Sequence, residues 1–207
     1  MRWIKAAVFL LCLAPAAWLV MRGLQQELGA NPIEFITHAT GEWSLRLLVA
    51  TLAVTPLRKL TGISSLIRLR RMLGLFAFFY AGLHFLTYPW LDKFFDVREI
   101  VLDIGKRPFI TAGFAAFAVL APLAITSTAG WIRRLGGRRW RALHRLVYLS
   151  AAAGVAHYYW LVKSDVRGPL AYGAIVAVLL GYRAAAAWRR PAVAERPRAG
   201  PPAAQPG

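Results

Sequence analysis

The chain has 207 residues, 58% of them hydrophobic, and a mean hydropathy of +0.48, yet 26 Lys and Arg face only 9 Asp and Glu for a net charge of +17. Such apolar content excludes disorder. It also excludes a soluble nucleic-acid binder, because basic surface would meet phosphates but too little polar residue remains for a soluble exterior. The single cysteine, Cys12, excludes an intrachain disulfide framework and a cysteine metal cluster.

A bilayer core needs about 20 mostly apolar residues per helix. Six stretches approach that length: Lys5–Met21, Ser44–Leu57, Met72–Leu91, Phe109–Ile125, Leu143–Val162 and Leu170–Trp188. The first follows Arg2 and could also be read as a cleavable signal peptide ending near Ala14-Pro15-Ala16. Its apolar run continues through Ala17–Met21, which favours an uncleaved helix. The second is short and holds Arg46, which is expected to snorkel to the outer interface or, as the lesser alternative, to pair with a propionate. The six runs predict an all-α integral membrane protein, with residues 1–190 as its membrane domain. Residues 191–207, rich in Pro, Ala, Gly and Arg, are expected to form a disordered cytoplasmic tail. No internal repeat is evident.

The charges sort by loop. The N-terminus, the second and fourth loops and the C-terminal segment together hold 18 basic residues and one acid, Glu195. The remaining loops hold seven basic residues and eight of the nine acids. Basic loops resist translocation and stay cytoplasmic. Both termini are therefore expected inside, and the charge excess is an orientation signal. Trp43, Tyr88, Trp90, Tyr159 and Trp160 then fall near outer ends, as an aromatic belt requires.

The chain has four histidines. An ionisable residue within a membrane span is costly and marks a functional candidate. His84 on the third run and His157 on the fifth lie at similar outer depth, while His144 lies at the inner end of the fifth. Two imidazoles at matched depth are what a bis-histidine haem requires: both axial positions filled, no open site for oxygen, electron transfer favoured. The alternative is that each histidine only bonds a neighbouring helix. Gly82 and Ala151–Gly154 are expected to give the macrocycle room. On an ideal helix the thirteen positions from His144 to His157 turn about 220°, so the two would not align without a bulge or tilt. His38 is placed in an outer loop, where a solvated role is the leading reading and a contact to a partner protein or propionate the other.

Four segments carry a family resemblance: 70–75 (RRMLGL), 83–88 (LHFLTY), 140–149 (WRALHRLVYL) and 157–163 (HYYWLVK). In order and spacing they resemble the ferric-reductase-like transmembrane family, over about residues 1–190. The resemblance implies a haem-binding bundle in a bacterial inner membrane, with haem b held by His84, His144 and His157 as iron ligands. It implies one haem between His84 and His157. A second, at His144, would find Arg70 and Arg71 where a partner histidine would be wanted. It further implies electrons from the quinone pool or a flavin reductase, an association with FMN, and delivery to a periplasmic MsrP-type molybdopterin reductase that repairs methionine sulfoxide. On this reading the chain is an electron-transfer subunit of an oxidoreductase complex, not itself the catalyst. Arg138 and Arg139, after Gly136-Gly137, are candidates for a flavin phosphate or anionic lipid.

No GxGxxG after a strand and no P-loop pattern occurs, so no NAD(P)H or ATP module is expected. The competing function is a proton- or solute-coupled transporter using the histidines as relays. Relays of that kind also use membrane carboxylates, and the six apolar stretches contain none.

Overall fold

The computed structural model describes residues 2–188; the expected tail, 191–207, lies outside the described residues. Eight α-helices follow in order: α1 Arg2–Leu24, α2 Pro32–Thr61, α3 Ile67–Leu86, α4 Val97–Lys106, α5 Pro108–Ile125, α6 Ala129–Leu143, α7 Val147–Leu161 and α8 Arg167–Trp188. A 3₁₀ turn (Ser64–Leu66) leads into α3, a π turn (Thr87–Asp92) continues it, and a second 3₁₀ turn (His144–Leu146) leads into α7. Among the described residues there is no strand. By length and composition α1, α3 with its flanking turns, α5 and α8 can each cross a membrane. Four of the six apolar stretches thus lie in helices that meet this condition.

The difference lies in α2 and α7. Helix α2 begins at Pro32, twelve positions before the apolar run at Ser44, because Asn31 caps it. The Asn31 side chain accepts from Glu34 N–H at 3.2 Å and donates to the Glu34 carboxylate at 3.0 Å, and Pro32 needs no helix partner at the first position. Gly62, at φ 72°, ends the helix by returning its N–H to the Arg58 carbonyl. His38 is therefore on a helix, not in a loop. Helix α7 has 15 residues, short of a span without its leading 3₁₀ turn. Two segments read as loops, α4 and α6, are short amphipathic helices.

Helix α2 packs along α3, and α5 along α7. Leu52, Ala77, Tyr80 and Ala151 are wholly buried where these pairs meet. A proline inside a helix creates a carbonyl without an N–H partner. Pro56 leaves the Leu52 carbonyl unpaired, and the Arg183 guanidinium of α8 donates to it at 2.5 Å. Next to Pro15 in α1, the Tyr80 hydroxyl of α3 enters the following helical step, accepting from Ala16 N–H at 3.0 Å and donating to the Cys12 carbonyl at 2.8 Å. Arg183, grouped by sequence with the basic C-terminal segment, is thus a structural residue of the bundle, its guanidinium also lying over Tyr148. Replacing Arg183 with Met strands the Leu52 carbonyl. The expected loss is about 1–3 kcal/mol of stability, read as a lower unfolding midpoint in detergent; an unchanged midpoint would contradict this role.

Candidate functional site

His84 and His157 meet. Their ring centroids are 5.8 Å apart at an interplanar angle of 74°. His84 Nδ1 lies 2.9 Å from the Thr37 carbonyl of α2, and His157 Nδ1 lies 2.6 Å from the Phe109 carbonyl of α5. A carbonyl only accepts, so each Nδ1 carries the proton and each Nε2 keeps its lone pair.

Each ring also lies on a glycine four residues beyond the carbonyl it bonds. A Cβ on Gly41 would stand 3.0 Å from both Nδ1 and Cε1 of His84. On Gly113 it would stand 2.9 Å from His157 Nδ1 and 3.1 Å from Cε1. A serine hydroxyl further joins each helix pair. Ser44, three residues after Gly41, donates to the Ala77 carbonyl, seven before His84. Ser150, seven before His157, donates to the Ala116 carbonyl, three after Gly113. The same device is built twice, with donor and acceptor exchanged. Sequence inspection found neither half of it. It singled out Gly82, whose Cβ position has no neighbour within 4 Å, and Gly154, which does line the cavity near Leu45. The spacing from each carbonyl acceptor to its histidine is nearly the same, 47 and 48 residues.

A cavity of about 430 Å³ surrounds the two imidazoles. Its wall is aromatic: Phe85 stacks on Phe117 at 4.5 Å and meets Phe114 edge-on, and Phe114 in turn meets Tyr88. Besides the two imidazoles, His38, Glu42, Asp92 and Arg107 line it. A flat, largely apolar group bearing a metal fits this donor set. With metal–imidazole bonds of about 2 Å, as zinc makes, two ligating rings stand on the order of 6 Å apart.

His144 stands outside this cavity. Its Nε2 is 3.1 Å from the Thr126 hydroxyl and its ring stacks on Trp140 at 4.0 Å. Trp140 is itself fixed by donating Nε1–H to the Thr126 carbonyl. The 3₁₀ turn that begins at His144 breaks the helix between it and His157. Arg70 of α3 lies near enough to act on His144 electrostatically. Arg138 and Arg139 are exposed on α6, beyond a kink at Gly136 with φ 70°. Arg46 does not line the histidine cavity; it pairs with Glu42 and donates from Nε to the Tyr172 hydroxyl, with its guanidinium over Trp43. Glu42, by contrast, does line it. Helix α2 is longer than the apolar run that represents it, so a carboxylate stands at the site after all.

A charge cluster lies at the end of the cavity lined by Tyr88, Asp92 and Arg107. The π turn brings Lys93 against Asp103 at 3.2 Å and Glu99 at 2.5 Å; Tyr88 donates to Asp103 at 3.0 Å and Arg107 Nε stands 3.2 Å from it. Lys93 and Asp103 are about nine-tenths buried. The chain then turns through Phe94 and Phe95, both at positive φ and both exposed. The hydrogen bond to Glu99 leads in raising the Lys93 ammonium above its ordinary value. Burial pushes the Asp103 carboxyl up, but hydrogen bonds from Lys93 and Tyr88 and the Arg107 charge hold it below its ordinary value of 3.8. A depressed carboxyl contributes stability above its unfolded pKa and loses it as pH falls through the folded one. A raised amine loses its contribution only as pH rises beyond its ordinary 10.5. Hydrogen-exchange protection of α4 is therefore expected to stay flat between those limits and to fall below pH 3.8. A step near neutrality would contradict this assignment.

The description "Ferric reductase like transmembrane component" matches residues 40–155. A relative from Herminiimonas arsenicoxydans is 57% identical, covering 90% of this chain and 87% of its own length. One from Ralstonia nicotianae is 53% identical over 91% and 88%, and one from Caulobacter vibrioides 52% over 85% and 84%. All three are named "Protein-methionine-sulfoxide reductase heme-binding subunit MsrQ". This chain belongs to the ferric-reductase-like transmembrane family, as an MsrQ-type member. No solved structure matches it. The family match of this MsrQ-type chain takes in His84, Gly41 and Gly113 and ends two residues before His157. The near-full-length MsrQ relatives extend the likeness beyond that limit.

Proposed function

We propose that the chain conducts electrons across a bacterial inner membrane through a haem b held between His84 and His157. The carrying observation is the paired imidazole: two rings 5.8 Å apart, each with Nδ1 committed to a helix carbonyl. A haem in that position supplies one-electron redox chemistry with no open axial site. The Thr37 and Phe109 carbonyls hold both rings in the Nε2-ligating tautomer. Such outer bonds orient metal-binding histidines and raise their basicity. The Phe85, Phe114 and Phe117 wall excludes water. Relatives named as haem-binding subunits support this reading.

We take the bundle as six spans, α2 and α7 completing the four, with both termini cytoplasmic. The 18-to-1 loading of basic residues supports that orientation. The paired histidines then lie toward the outside, where a periplasmic methionine sulfoxide reductase of the MsrP type would take the electrons. The donor we propose is the quinone pool or a flavin reductase. The inner end, with His144, Trp140 and the exposed Arg138 and Arg139, is where a second carrier, haem or FMN, would shorten the path across a core of about 30 Å. The transporter reading gains Glu42 as a carboxylate but loses its relays, since both imidazole Nδ1 protons are bound to helix carbonyls.

Membranes with and without this subunit test the conduit directly. Reduction of a periplasmic methionine sulfoxide substrate by the membrane donor is expected to need the chain, and unchanged reduction without it would refute the proposal.

A further inference from the structure

The histidine cavity is not uniform from end to end. Its inner part is lined by side chains such as Phe114, Phe117 and Leu120, which offer nothing to a charge. A haem brings two carboxylates, and placing an ionised carboxylate among apolar groups costs several kcal/mol. The acidic and basic side chains collect at the outer end, but two of them, Glu42 and Asp92, are acids that repel a carboxylate. Among the described residues, Arg107 is the one Lys or Arg side chain lining the cavity.

We propose that Arg107 receives the haem propionates and so fixes which way round the haem lies, propionates outward. The proposal rests on the haem reading above. Arg107 is built for this role. It is the N-cap of α5, held extended at φ −117°, ψ 100° with Pro108 behind it, two residues before the Phe109 carbonyl that holds His157. Its position is thereby tied to that of the ligand. Only Nε is engaged, on Asp103 Oδ1 at 3.2 Å, and the side chain is half exposed. A guanidinium has five donors in a planar fork matched to carboxylates. Asp103, itself held by Lys93 and Tyr88, acts as a positioning residue that keeps the guanidinium at the rim.

The test uses the purified full chain loaded with protohaem or with its dimethyl ester, in wild type, Arg107→Gln and Arg107→Lys. Two quantities are read: the rate of haem loss to excess haem-acceptor protein, and the haem midpoint potential. With protohaem, Arg107→Gln is expected to keep the bis-histidine spectrum but lose haem about tenfold faster. Removing a positive charge also favours the ferric state. A tenfold shift of the oxidised-to-reduced ratio corresponds to about 59 mV. Arg107→Lys restores most of both. With the ester the glutamine variant and the wild type lose haem at the same rate, and the wild type loses the ester as fast as Arg107→Gln loses protohaem. The ester arm needs no variant to fold. Equal retention of ester and protohaem by the wild type, or a glutamine effect on haem loss that persists with the ester, overturns the proposal while leaving the haem reading intact. A wild-type chain that takes up no haem overturns both.

Discussion

Alanine at either His84 or His157 is expected to abolish the reduced haem spectrum of the purified chain while leaving it in the membrane. Each imidazole supplies one axial bond, and apart from His38 the described residues lining the cavity include no further imidazole, thiol or thioether to replace it. Loss of a mere outer-shell partner of a metal ligand typically costs 10–100-fold in affinity, so loss of the ligand itself should exceed about 100-fold. The bundle should survive, because its buried core rests on Leu52, Ala77, Tyr80 and Ala151, away from both rings. His144→Ala is the contrasting variant. His144 bonds Thr126 and stacks on Trp140 outside the cavity, so the outer-site absorption should remain. Absorption spectra of the three variants at equal protein concentration decide the matter. An unchanged spectrum in His84→Ala would remove the basis for the paired site.

A second large effect is expected from changes of one methyl group. At Gly113 a Cβ would lie 2.9 Å from His157 Nδ1, and at Gly41 3.0 Å from His84 Nδ1 and Cε1. Neither ring can retreat without stretching its bond to Phe109 or Thr37. Gly113→Ala and Gly41→Ala should therefore weaken haem binding by about 10–100-fold, the range for a displaced second-shell bond, with Gly113 the worse. The helix preference for alanine over glycine, about 0.5–1 kcal/mol, offsets part of that strain in the haem-free chain. A loss of haem affinity at positions 41 and 113 that is absent at position 82 would identify the contact. Gly82→Ala, with nothing within 4 Å, should leave haem affinity unchanged. Haem titrations of the three alanine variants supply the comparison, and equal affinities at 41, 82 and 113 would count against it.

Much of this site was legible in the sequence. The matched depth of His84 and His157 on separate apolar runs paired them, and their ring centroids do stand 5.8 Å apart, edge to face. What supports them was not legible, because it is a tertiary contact. Gly41 belongs to a helix whose N-terminal half carries Glu34, His38 and Glu42, so no apolar run announced it. Gly113 sits in a helix with no mark to distinguish it from Gly82 until a neighbouring ring is placed on it. Helices α4 and α6 were read as loops because their charge is high, although an amphipathic helix carries that charge on one face. Arg183 was read as part of the inner charge signal, whereas its chemical task, covering the carbonyl freed by Pro56, depends on two helices 131 residues apart.

The central claim is that one haem is clamped between His84 and His157. Near-infrared magnetic circular dichroism of the oxidised full-length protein, with haem quantified per chain, tests it most directly. The account predicts a low-spin bis-imidazole ferric signature that disappears in both His84→Ala and His157→Ala and persists in His144→Ala. A haem-replete preparation without that signature, or one that keeps it after both substitutions, would contradict it.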